Sequence, residues 1–181
     1  MGAGVLGGVV LSFTTLHSSA SQRIHFLIAV VFIQTRLICN LLDGMVAILL
    51  KRASRTGELY NEIPDRISDA ATFIGAGYAL GGSPVLGFIA ACCAIFVAYI
   101  RAMGRIATGR QEFRGPMAKQ QRMATMTAAC IYCAITPRIL QPMPHGFGIV
   151  SLALAVIIVG CAITTYRRLS RIVKMLKEQP S

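Results

Sequence analysis

The sequence predicts an all-α, polytopic membrane protein with six transmembrane helices, the first short or truncated, forming one integral-membrane domain over residues 1–181. Two observations carry this reading. Hydrophobic residues make up 55% of the chain against 14% charged, and a mean hydropathy of +0.63 is far above that of a soluble domain of this length. The apolar residues also come in runs that approach or exceed the ~20 residues a helix needs to cross a bilayer, with basic residues gathered at their ends.

The net charge of +11 would point to nucleic acid in a soluble chain. Here the cations flank apolar runs, where they set orientation and meet headgroups, so membrane lipids are the expected partners and nucleic acid is not. Cys130-Ile-Tyr-Cys133 is the one C-x-x-C among six cysteines. No second pair or histidine stands at zinc-ligand spacing, so these two read as packing residues of a buried helix.

Met1 to Leu16 is apolar but short, and its glycines Gly2, Gly4, Gly7 and Gly8 suit close packing against a neighbouring helix. Ser18-Ser19-Ala20 resembles a signal-peptide cleavage region, but a positive leading segment is missing. The expectation is that the chain begins inside a longer first helix. A second apolar run extends from Ile24 to Leu50, interrupted by Arg36, Asn40 and Asp43, and ends in Lys51, Arg52 and Arg55. The third helix begins near Glu58, whose charge suits a helix N-terminus, and runs to about Leu80. Pro64 allows either a kink or a start near Asn61.

Gly81-Gly82-Ser83-Pro84 predicts a tight turn, and residues 85–106 a fourth helix ending in Arg101 and Arg105. A polar loop with Arg110 and Arg114 follows, then a fifth helix over roughly 119–136, broken by Pro137. The sixth spans about Gly146 to Tyr166. Residues 167–181 form a basic amphipathic tail expected to lie on an anionic surface. The connections after helices two and four with the helix ends that flank the latter (Arg101, Arg105, Lys119 and Arg122), together with the tail, hold fourteen of the eighteen Lys and Arg residues. By the positive-inside rule those parts face the cytoplasm, across an inner or plasma membrane, and His17, His25 and His145 lie near the other surface.

Five of the seven acidic residues fall between positions 40 and 69. Carboxylates within or at the mouth of a membrane are costly and mark a functional site. At helical spacing Arg36, Asn40, Asp43 and Ala47 share one stripe, and Glu58, Glu62, Asp65 and Asp69 share another, with Asn61 beside Asp65. Oxygen donors gathered on two adjacent helices suit a hard divalent cation, Mg²⁺ or Mn²⁺, that also grips phosphate oxygens.

These residues are similar to the signature of the CDP-alcohol phosphotransferases, D-x2-D-G-x2-A-R-x8-G-x3-D-x3-D. Here it reads Asn40-x2-Asp43-Gly44-x2-Ala47-Ile48-x8-Gly57-x3-Asn61-x3-Asp65, with every spacing kept. Asn40 and Asn61 stand where the family has aspartate, and Ile48 where it has arginine. The resemblance implies transfer of a phosphatidyl group from CDP-diacylglycerol to an alcohol, releasing CMP, in phospholipid biosynthesis. It implies Asp43 and Asp65 as metal ligands and Asp65 as general base, with Asn40 and Asn61 at the other metal positions. Gly44, Ala47 and Gly57 would let the nucleotide approach.

Asparagine offers an oxygen but no charge, so Glu62 or Asp69 is expected to restore it, and Arg52, one turn from Ile48, to replace the arginine. Arg101 and Arg105 fall where the resemblance implies an acceptor or lipid-phosphate pocket, and homodimers are a further implication. Two other readings stay open: a lapsed site that binds nucleotide or lipid, and a small transporter with Asp43, Asp65 and Asp69 as its relay. Against the transporter stand the lack of an inverted repeat and the clustering of the acids at one surface.

Overall fold

The computed structural model describes residues 2–15, 19–49, 55–109 and 115–178, with the side chains of residues 19, 47–49, 55–61 and 145 left out. The helices are α1 (Gly2–Ser12), α2 (Ser19–Leu49), α3 (Arg55–Tyr78), α4 (Pro84–Thr108), α5 (Lys119–Ile135) and α6 (Ile149–Glu178), joined in part by short 3₁₀ turns. Their packing closes a ring: α2 contacts α1, α1 contacts α3, α3 contacts α4, α4 contacts α6, α6 contacts α5, and α5 returns to α2. The 31 residues of α2 span about 46 Å at helical rise, well beyond the ~30 Å hydrocarbon core. Among the described residues, Ala20–Val46, Pro84–Thr108 and Ile149–Glu178 are each long and apolar enough to cross a membrane.

On α4 the inward face is small and the outward face large and apolar. Along α4, Gly87, Ala90, Ala91, Ala94 and Val97 are buried, while Val85, Phe88, Ile89, Phe96 and Tyr99 are exposed. This arrangement suits a lipid solvent, in which close backbone approach and not apolar burial drives association. Cys130 and Cys133 are free thiols buried in the same core, as packing residues.

α1 takes its place by glycine contact. A Cβ built on Gly75 of α3 would lie 2.0 Å from the Gly8 carbonyl oxygen, and one on Gly8 would lie 2.2 Å from the Ala71 carbonyl oxygen. Gly4 and Gly7 also pack closely, against Ser68 and Phe32, whereas Gly2 faces open space. Because backbone meets backbone here, no flexible side chain can yield. Gly75→Ala is therefore expected to destabilise the bundle by about 1–3 kcal/mol, read as a lowered unfolding midpoint in detergent. An unchanged midpoint would refute the contact.

Local signals explain the helix ends. Pro84 opens α4 after an extended Ser83, and Gly109 closes it in the left-handed conformation, φ 68°, its N–H donating to the Arg105 carbonyl at 2.9 Å. α3 starts at Arg55 and continues through Pro64, which lies inside the helix. The start near Asn61 that the sequence left open is thereby set aside.

The tail is helical. α6 runs unbroken through Glu178, with Arg168 and Ile172 buried, so residues 167–178 extend α6 as one continuous helix. The Gly81 carbonyl, in the turn before α4, accepts from the N–H of Gly148 (2.8 Å) and of Ser151 (3.1 Å) and from Ser151 Oγ (2.8 Å). Arg168 Nη1 donates to the Val97 carbonyl of α4 at 3.2 Å.

Candidate active site

The two acidic stripes meet as their spacing predicts. Asn40 Nδ2 of α2 donates to Asp65 Oδ1 of α3 at 3.1 Å. One turn earlier on α2, Arg36 reaches into the same place, its Nη2 donating to the Asp65 carbonyl at 3.0 Å and pairing with Asp65 Oδ1 at 3.4 Å. The other carboxylate oxygen of Asp65 is held from α5: Lys119 Nζ lies 2.5 Å from Oδ2. Asp65 is 19% exposed and Lys119 22%, so the pair sits at an open edge.

Asp69, one turn deeper on α3, has a different environment. It is 1% exposed, with Arg36 Nη2 at 2.5 Å from Oδ1 and Arg122 Nη2 at 3.0 Å from Oδ2. Arg36 and Arg122 are themselves 3% and 2% exposed. Two buried guanidiniums thus close over the carboxylate that the sequence offered as a spare metal ligand, with that of Arg66 as a third at 3.8 Å. Glu62 is likewise engaged, by Arg66 of its own helix and Arg101 of α4, but it is more open to solvent. Asp43 and Gly44 are exposed, Asp43 makes no ion pair among the described residues, and a Cβ added at Gly44 would meet nothing within 4 Å.

Beside Asp65 opens a cavity of about 190 Å³ lined from four helices. α3 contributes Glu62, Asp65 and Arg66, α4 Arg101, α5 Lys119 and Arg122, and α6 Arg168. Five basic side chains face two carboxylates there, so the cavity lining carries an excess of positive charge. Arg105 is exposed in the last turn of α4 and does not line it.

Of these residues the sequence singles out Asp65, Glu62 and Arg101; Lys119, Arg122, Arg168 and Arg66 carry no local mark of a site in it. Their signal was available in one form only: buried carboxylates require counter-charges, and the nearby apolar helices offer few others. Ala47, Gly57 and Asn61 lie where the backbone alone is described, and Arg52 lies outside the described residues.

Among the described residues, no three His, Cys, Asp or Glu side chains converge as a metal cluster. Two oxygen-bearing side chains that could serve a hard cation do meet, Asp65 and Asn40, and the Lys119 ammonium already stands at Asp65 as a cation in that position.

A family model described as CDP-alcohol phosphatidyltransferase matches residues 3–166. Among curated proteins, the chain is 28% identical over 138 residues to the inner membrane protein YnbA of Escherichia coli (strain K12), covering 75% of this chain and 69% of that one. Two solved structures share the fold, both of the phosphatidylinositol phosphate synthase PgsA1 of Mycobacterium tuberculosis. One has CDP-DAG bound, with a TM-score of 0.63 and coverage of 94% of this chain and 80% of that one. The other is in complex with manganese and citrate, with a TM-score of 0.64 and coverage of 94% and 77%. Each is 20% identical to this chain.

Proposed function

Because the chain belongs to the CDP-alcohol phosphatidyltransferase family, integral-membrane transferases of phospholipid synthesis, we propose that it moves the phosphatidyl group of CDP-diacylglycerol to an anionic alcohol. The observation that carries this reading is Asp65 at the edge of a cavity rich in cations. A phosphate-bearing acceptor, such as a glycerol phosphate or an inositol phosphate, would place its phosphate among Arg101, Lys119, Arg122 and Arg168 and its hydroxyl toward Asp65. A neutral alcohol would bring no charge to match the excess of cations lining the cavity.

In this scheme Asp65 takes the proton of the acceptor hydroxyl. The freed oxygen attacks the phosphatidyl phosphorus, the bond to the CMP oxygen breaks, and a phospholipid and CMP leave. Asn40 and Arg36 hold Asp65 in place from α2, while the open space beside Gly44 leaves room for the nucleotide. Asp43, Asp65 and the Asn40 carbonyl oxygen would hold one Mg²⁺ or Mn²⁺, with Asn61 as a candidate further ligand. When bound, such an ion neutralises phosphate charge on the donor. Glu62 and Asp69 already serve arginines, so they are weaker candidates for the charge missing at positions 40 and 61. The basic connections orient the site toward the cytoplasm, and the relation to an inner membrane protein supports an inner or plasma membrane.

The test is CMP release from CDP-diacylglycerol by the purified chain, with paired phosphorylated and unphosphorylated alcohols, in Mg²⁺, Mn²⁺ or chelator. Release with a phosphorylated alcohol alone, lost on chelation, is the expected result. Equal rates with the unphosphorylated partner would overturn the acceptor class. Binding of CDP without CMP release from any alcohol would favour a lapsed site.

A further inference from the structure

Lys119 belongs to two sets of residues at once. Its ammonium lies 2.5 Å from Asp65 Oδ2, so it neutralises the proposed base and metal ligand. Its side chain also lines the cavity with Arg66, Arg101, Arg122 and Arg168. Asp65 does not depend on Lys119 alone for its position, because Asn40 Nδ2 and Arg36 Nη2 donate to its other carboxylate oxygen and Arg36 also to its backbone carbonyl. The lysine can therefore leave without releasing the carboxylate. Lysine suits such a change of partner, being a compact charge on a flexible four-carbon stem, whereas the buried Arg36 and Arg122 are each fixed by several acceptors.

We infer that Lys119 is a shared cation that couples the two halves of the site. Without a divalent ion it pairs with Asp65. A divalent ion arriving at Asp65 competes with the ammonium, which then turns wholly to the cavity and adds its charge to the set that receives an anion. Ion and anion binding thus favour each other, and the coupling is reciprocal by linkage. The chemical step stays as proposed above; what is added is that the acceptor site reaches full charge only once the ion is in place. This rests on the metal reading of Asp65.

The experiment uses the full chain in detergent. Mn²⁺ affinity is measured by electron paramagnetic resonance of the free ion, with and without sulfate as the tetrahedral dianion, at ionic strength held constant with chloride. In the wild type, sulfate is expected to tighten Mn²⁺ binding about fivefold or more. In Lys119→Met, Mn²⁺ should bind more tightly without sulfate, because its competitor is gone, and sulfate should change that affinity by about twofold or less. An unchanged Mn²⁺ affinity in wild type on adding sulfate overturns the coupling, and needs no variant to fold. The same sulfate effect in wild type and Lys119→Met assigns the coupling elsewhere and also overturns the role of Lys119. Failure of Mn²⁺ to bind under any condition removes the metal reading itself, and this inference with it.

Discussion

Asp65→Asn is expected to lower CMP release by about 10²–10⁴-fold, the range in which a general base contributes, while the protein still folds. Asparagine has the shape of aspartate and keeps an oxygen for the donors from Asn40 and Arg36. What disappears is the charge that accepts a proton. Lys119 loses its partner, but at 22% exposure the ammonium can take up water or the cavity, so the cost to stability is small. The measurement is the rate of CMP release from CDP-diacylglycerol at saturating acceptor, beside the elution profile and unfolding midpoint of the same preparation. A variant within about threefold of wild type, against the loss expected of a missing base, would remove Asp65 from the reaction.

Asp69→Ala is expected to act in the opposite sense, through the fold. The carboxylate lies between two guanidiniums in a place closed to solvent, and its removal leaves two buried positive charges facing each other. Breaking a buried ion pair from one side costs about 3–5 kcal/mol. Arg36 and Arg122 are poorly placed to find substitutes, since the Nε of each is buried with no hydrogen-bond partner among the described residues. Arg36 would retain its contacts to Asp65, whereas Arg122 would keep chiefly the Met117 carbonyl, at 3.2 Å. Denaturant unfolding in detergent should show a loss of this size, with α2, α3 and α5 loosened together. If Asp69→Ala instead unfolds like wild type and loses Mn²⁺ binding, Asp69 is a metal ligand, as the charge argument from sequence allowed.

The contrast between these two aspartates shows what the sequence could convey. Periodicity places Asp65 and Asp69 on the same face of α3 and Asn40 on a stripe of α2, but the meeting of Asn40 with Asp65 is set by how the two helices pack. The period reports direction around the helix but not depth along it, and depth separates a part-exposed base from a buried counter-ion. Lys119 is 54 positions from Asp65, and nothing local in the sequence announces their meeting. Arg168 was hidden for another reason. The passage from an apolar run to RRLSRIVKMLK reads as the end of a membrane helix, yet it contains no proline or glycine, so the backbone has no cause to stop. Six helices, their order and the turn at Gly81 were legible because each rests on local chemistry. The cavity was not, because four helices distant in sequence build it.

The attachment of α6 has a consequence for which molecules the cavity admits. The Gly81 carbonyl, in the turn before α4, receives three donors from Gly148 and Ser151 where α6 begins, and Arg168 grips the Val97 carbonyl midway along α4. α4 and α6 are thus tied at two levels, so the wall they share resists widening. Acceptors are then sorted against a rigid gauge: a bulkier head group meets a boundary that does not yield, and widening the choice of alcohol requires residues of that wall to change size.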